Sequence, residues 1–262
     1  MRKLELNTDL VRVLKKLRLG RMIPVLPERL RQARERQMDP EDLLLLILSD
    51  ETQRRERQRF ALRTKVAGLS PVMVFDEWDK TASVTYDSRL LDELRTLRFV
   101  DENHHALVMG PVGVGKTMLA QALGNSAIQR DFKVKYYAAD TLFKLLKASR
   151  LDDTHTAEMR RLVAVDLLII DDFALRRLDV METADLYELV TGRHRGGSMI
   201  ITSNRTPEEW LGMLADPMLA QALVDRFSNN AYDLVIEGES YRKRQKPRLS
   251  AAGAAAATRP AE

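Results

Sequence analysis

The sequence contains no cysteine. Disulfides, thiol catalysis and cysteine-ligated zinc are therefore excluded. Histidine is scarce, four in 262 residues with two of them adjacent, which argues against a histidine metal centre. No apolar run is long: the longest, residues 43–48, falls far short of a bilayer span. Residues 1–10 also lack the continuous apolar core of a signal peptide. These absences point to a cytoplasmic protein without a membrane partner. What is present is ordinary for a soluble globular chain, 45% hydrophobic and 31% charged.

The net charge of +4 hides an asymmetry. Residues 1–70 carry 17 Lys and Arg against 10 Asp and Glu, residues 71–240 carry 19 against 27, and residues 241–262 carry 6 against 1. An acidic middle thus lies between two basic ends. Basic ends suit a nucleic-acid backbone, and they suit solvated helix faces and a charged tail equally well.

The most specific signal lies in the middle. An apolar stretch, His105-Ala106-Leu107-Val108-Met109, runs into Gly110-Pro111-Val112-Gly113-Val114-Gly115-Lys116-Thr117 and then into Met118-Leu119-Ala120, which reads as a helix. Residues 110–117 satisfy every fixed position of G-x-x-x-x-G-K-[ST]. Glycines at 110, 113 and 115 let backbone N–H groups turn inward toward phosphate oxygens. Lys116 brings a cation to the β- and γ-phosphates, Thr117 a hydroxyl for Mg²⁺, and the helix its positive dipole end. A plain glycine turn is the alternative; the strand before and the helix after are the context that binds phosphate instead.

In chain order, residues 7–60 read as helical, with Pro24 and Pro27 as breaks and Asp39-Pro40-Glu41-Asp42 as a helix start. The helix that follows carries Arg54, Arg55, Arg57, Arg59, Arg63 and Lys65, which can lie along phosphates or be paired with Glu51 and Glu56. The boundaries are a helical N-terminal domain over 1–70, a linker over 71–86, a nucleotide-binding domain over 87–248 and a disordered tail over 249–262. Within the linker, Phe75-Asp76-Glu77-Trp78 is bulky enough to pack on the main domain or to stack on a base. Residues 87–99 are expected to form one helix. Strands are expected at 133–139, 166–173, 198–204 and 232–236. Helices are expected at 141–150, 158–163, 182–194, 207–214 and 217–227. Strands alternating with helices predict an α/β fold, a doubly wound parallel sheet with ligand at the carboxyl ends of the strands.

Three further elements join the loop. Asp171-Asp172 ends an apolar strand; Asp171 can hold Mg²⁺ while Asp172 orients the water that attacks the γ-phosphate. The alternative is a helix cap beside a solvated neighbour. Thr202-Ser203-Asn204 ends the next strand, and the Asn204 amide can fix that water. Arg226 can reach a neighbouring subunit's phosphate as an arginine finger, or pair on the surface with Asp225 or Asp216.

Taken in this order, the four elements resemble the AAA+ ATPases: residues 110–117 as Walker A, 168–172 as Walker B, Asn204 as sensor one and Arg226 as the box-seven arginine. More closely, the chain resembles the IstB-type ATPases of insertion sequences, relatives of the DnaC helicase loader. The cues are Leu168-Ile169-Ile170-Asp171-Asp172-Phe173, Ile200-Ile201-Thr202-Ser203-Asn204-Arg205, Asp225-Arg226-Phe227 and Gly238-Glu239-Ser240-Tyr241-Arg242. They extend the resemblance from about residue 10 to residue 248. Two departures stand out. Most AAA+ proteins carry Glu where this chain has Asp172, and IstB relatives often have Gly where it has Ala174. A carboxylate shorter by one methylene implies slow hydrolysis, suited to a timer or switch, because ~1 Å of misplacement can cost on the order of a hundredfold in rate. The C-terminal helical lid with its sensor-two arginine is reduced or absent, and Arg242 is its possible substitute.

The resemblance implies a Mg²⁺-dependent ATPase that binds double-stranded DNA, forms a homo-oligomer with ATP at subunit interfaces, and recruits and stimulates a transposase. Basic candidates for DNA are the arginines at 54–63 together with Lys144, Lys147, Arg150, Arg160 and Arg161. A helicase loader acting on single strands, and a nucleotide-gated adaptor that binds protein without DNA, remain as alternatives.

Overall fold

In the computed structural model of the protein, which describes residues 6–78, 84–194 and 196–240, helix α1 (Thr8–Lys16) begins at Asn7. The Asn7 side chain accepts the Asp9 N–H at 2.7 Å, satisfying one of the donors that a helix start leaves open. A short 3-10 turn, Gly20–Met22, leads to α2 (Leu26–Glu35), which has proline at its start, and then to the 28-residue α3 (Pro40–Ala67). Leu14, Met22 and Leu26 form a small core with Leu6, Leu19, Ile23 and Ile47 around it. The Arg29 guanidinium grips Asp50 through two bonds of 2.7 and 3.1 Å and so ties α2 to α3. Compact units divide at Arg63, Met1–Arg63 and Thr64–Glu262, so the last turn of α3 belongs to the second.

The second unit is built on a five-stranded parallel sheet of order β3-β4-β5-β2-β6. Its strands are β2 (His105–Met109), β3 (Val134–Ala138), β4 (Leu167–Phe173), β5 (Ser198–Ser203) and β6 (Ala231–Val235). Val84–Thr85 (β1) and Glu237–Gly238 (β7) form a separate antiparallel pair. The three inner strands are apolar and buried, as a sheet covered on both faces requires. Leu168, Ile170, Met199 and Ile201 pack in one cluster with α7 (Ala139–Leu151), α8 (His155–Val163), α9 (Val180–Arg193) and α11 (Pro217–Ser228). Ile169, pointing the other way, meets α6 (Lys116–Gln129) at Gly124, where a Cβ would lie 2.7 Å from the isoleucine. Arg193 is fully buried and donates to the carbonyls of Leu162, Val163, Val165, Asp166 and Ser198, fastening the end of α8 to the start of β4 and β5.

Two expected helices are shorter than the spacing predicts. Residues 87–99 divide into α4 (Ser88–Arg95) and α5 (Arg98–Asp101), because Thr96 turns its hydroxyl onto Glu93 O and accepts Arg98 N–H while Leu97 enters the left-handed region. Residues 207–214 are helical only over α10 (Pro207–Trp210). The segment after α3 lies on the sheet unit. Asn125 of α6 donates to Ser70 O and Met73 O at 2.9 and 2.8 Å. Tyr241, Arg242 and the tail lie outside the described residues. Among the described residues no helix is long and apolar enough to cross a membrane.

Candidate nucleotide site

The loop between β2 and α6 is shaped by glycines that have no room for a side chain. Gly110, Gly113 and Gly115 have φ of 148°, 88° and 104°. A Cβ at Gly110 would lie 2.1 Å from Ile236 O, and one at Gly115 3.1 Å from the Trp78 ring. Pro111 and Val112 are exposed at the loop's crest, while Val114 is buried and anchors it. Gly115 caps α6 without a side-chain bond, so the first helical N–H groups, from Lys116 through Met118, are oriented as an anion site requires. The Lys116 ammonium is buried and donates to Gly110 O and Pro111 O, both at 2.8 Å, which holds it across the loop.

Parallel register brings the other elements to the same edge. Thr117 Oγ1 donates to Asp171 Oδ1 at 3.2 Å, joining the loop to the end of β4. Asp171 is 2% exposed and also accepts from Thr202 of β5 and, at 2.7 Å, from the Tyr136 hydroxyl of β3. Burial, then the Asp171 carboxylate, push the Tyr136 phenol up, so it is a neutral donor. A bulge between Ile170 and Phe173 turns Asp172 outward with φ 55°; its side chain is exposed and its N–H donates to Thr202 Oγ1 at 2.9 Å. Ala174 is left-handed too, at φ 59°, a conformation that glycine adopts without strain. Asn204, exposed, directly follows Ser203, whose carbonyl accepts the Gly110 N–H at 3.3 Å. It therefore borders the start of the loop. Behind it Ser203 Oγ takes the Trp210 indole N–H at 3.2 Å, and Arg205 donates to Ala174 O at 3.1 Å.

These residues fit a nucleotide with Mg²⁺. Three glycines at positive φ give the loop a backbone that other residues would strain, a lysine and a helix start lie on it, and a hydroxyl and a buried carboxylate converge as hard oxygen donors. Bound Mg²⁺ would be held by Thr117 and Asp171.

Arg226 is set apart from this group. On α11 it donates to Tyr187 OH at 2.6 Å and Thr191 Oγ1 at 2.8 Å of α9, with its guanidinium 5.1 Å from the Tyr187 ring centre. The surface pairing with Asp225 or Asp216 is not what forms: Asp225 accepts from Asn229, and Asp216 caps α11. Arg150, a DNA candidate, is exposed and carries an ion pair. It is bound to buried Asp185, which His155 shares at 3.0 Å. In α3, Arg54 and Arg55 both grip Glu51, whose carboxyl the Arg54 hydrogen bond holds down at about 2. Arg57 and Arg59 remain exposed. Sequence reasoning missed Tyr136, which belongs to no motif, and the role of the Thr202 hydroxyl; only the register of β3 and β5 on β4 brings both to Asp171.

A family model described as IstB-like ATP binding protein matches residues 12–249. A Mycobacterium tuberculosis protein named as an ATP-binding protein in an insertion sequence is 33% identical over 235 residues, covering 89% of this chain and 94% of its own length. An insertion-sequence ATP-binding protein of Pseudomonas aeruginosa is 30% identical over 217 residues, 83% of this chain and 82% of its own. Among solved structures, AMPPCP-bound DnaA from Aquifex aeolicus aligns with a TM-score of 0.55 and 22% identity over 70% of this chain and 59% of that one, a likeness of fold. The fold is thus like that of DnaA, and the chain belongs to the IstB-like ATP-binding proteins of insertion sequences.

Proposed function

We propose that the protein is a Mg²⁺-dependent ATPase that assembles on double-stranded DNA and there recruits and stimulates the transposase of its insertion sequence. The observation that carries this is the Thr117–Asp171 contact, which closes a phosphate loop onto a buried carboxylate in a chain of this family. Lys116 and the N–H groups of the loop bind the phosphates. Thr117 and Asp171 would hold Mg²⁺, which would supply charge neutralisation to the phosphates. Asp172, exposed beside Asp171, accepts a proton from the attacking water, and the Asn204 amide orients it. Arg226 completes the site of an adjacent subunit, which links nucleotide to assembly because a state that binds ligand better is populated by it. The helical part over residues 1–70, with Arg57 and Arg59 exposed, contacts DNA phosphates, as do Lys144, Lys147, Arg160 and Arg161.

The test is electron microscopy and sedimentation of the protein with ATP, Mg²⁺ and duplex DNA. Ordered oligomers are expected only when all three are present. Assembly on single strands alone would favour helicase loading, and nucleotide binding without any DNA association would favour a protein adaptor.

A further inference from the structure

Asp171 is connected to more than the phosphate loop. Thr117 and Thr202 both donate to its Oδ1, whereas Tyr136 donates to Oδ2. Gln121 of α6 lies beside the Tyr136 hydroxyl, and Gln121 Oε1 accepts the Ser70 N–H at 2.9 Å. A backbone N–H can only donate, so the amide oxygen faces Ser70 and the amide nitrogen is left for the phenol. Gln121 is 7% exposed, and Tyr136 is half-buried.

The far end of this chain is held firmly. Asn125, one turn along α6 from Gln121, takes Ser70 O and Met73 O and meets the Thr64 hydroxyl at 3.3 Å. Gly68, at φ 82°, brings the backbone against β3; a Cβ there would lie 3.0 Å from Tyr136 O. Lys135 of β3 donates to Val66 O at 2.7 Å. The stretch from Thr64 to Met73 is therefore pinned to the two elements that carry Gln121 and Tyr136.

A carboxylate fixed through one oxygen can still rotate about its terminal torsion, and a bond to the second oxygen stops that. We infer that Tyr136, supported by Gln121, is a positioning residue for the Mg²⁺-holding carboxylate, set from the backbone of Ser70. None of the ATPase motifs contains Tyr136 or Gln121. The inference rests on the ATP–Mg²⁺ reading of the site.

Calorimetric titration of the full chain with ATP, in EDTA and in MgCl₂, tests it. Wild type should bind ATP more tightly with Mg²⁺. Tyr136→Phe, which removes one oxygen, should match wild type in EDTA yet lose roughly tenfold or more of the Mg²⁺-dependent gain, the usual effect of removing a partner that orients a metal ligand. Gln121→Met should shift the same quantity in the same direction and carries the test if Tyr136→Phe fails to give a wild-type melting curve. A full Mg²⁺ gain in both variants overturns the inference, as does an equal loss in EDTA and MgCl₂, which would make the contact merely structural. Absence of any Mg²⁺ gain in wild type would instead sink the underlying ATP–Mg²⁺ reading, and the inference with it.

Discussion

Asp172 lies in backbone that most side chains avoid. At φ 55° aspartate is among the few non-glycine residues tolerated, and glutamate gains nothing from the longer stem there. The bulge of β4 thus favours a short carboxylate at this position. Asp172→Glu should change the rate of phosphate release several-fold, since water positioning responds to ~1 Å, and should lower stability by about 1 kcal/mol. An unchanged rate would assign the water to another side chain. His105 makes a second prediction at this scale. It stacks on Phe227 at 5.1 Å, its Nδ1 accepts the Met199 N–H, and burial above all holds its imidazolium form down at about 4. The unfolded chain takes up that proton near the ordinary value of 6.5. Stability from this group is therefore complete above about pH 6.5 and declines toward pH 4, by at most about 1.4 kcal/mol per pH unit. Urea midpoints between pH 7 and 5 should fall in the wild type and fall less in His105→Gln; equal slopes would remove His105 as the cause.

At the scale of elements, α9 and α11 hold Arg226 through a ring and two hydroxyls, so its guanidinium is oriented before any partner subunit arrives. Arg226→Ala should bind ATP nearly normally as a monomer, yet neither hydrolyse it nor assemble on DNA. Mixed with Lys116→Ala, it should recover part of the activity, because a mixed interface pairs an intact loop with an intact arginine. Mixtures that stay dead where wild type assembles would end the finger assignment. Elements of this kind were legible in sequence where one local pattern decides them. Residues 110–117 and 166–173 announce their strand, turn and helix through glycine spacing and an unbroken apolar run. The break at Leu97 was not legible, because Thr96 could equally have continued a helix; its hydroxyl decides the matter through bonds that periodicity does not register. The partners of Arg226 and Arg150 were hidden for a related reason. Each is a long-range pairing between helices, set by how α7, α8, α9 and α11 pack on the sheet rather than by neighbours in sequence.

For the molecule as a whole, the division at Arg63 sharpens an experiment on the basic N-terminal part. Removing residues 1–63 should leave ATP affinity intact while weakening duplex-DNA binding and flattening its dependence on salt between about 50 and 200 mM, as fewer phosphate contacts release fewer ions. Anisotropy of a labelled duplex measures both, and an unaltered salt slope would place the DNA contacts elsewhere. Removing residues 1–70 should in addition lower the melting temperature, since it takes away buried Leu69 and the Ser70 N–H bound to Gln121.

Trp78, packed at Gly115 and edge-on to Tyr86, has an optical consequence. The sequence holds two tryptophans, and the other, Trp210, is fully buried between Phe173 and Phe227. One indole therefore lies in the sealed interior, while the other lies at the rim of the phosphate loop. Arrival of a nucleotide should alter the emission spectrum without any added dye, and Trp78→Phe should abolish that change while leaving the Trp210 signal in place.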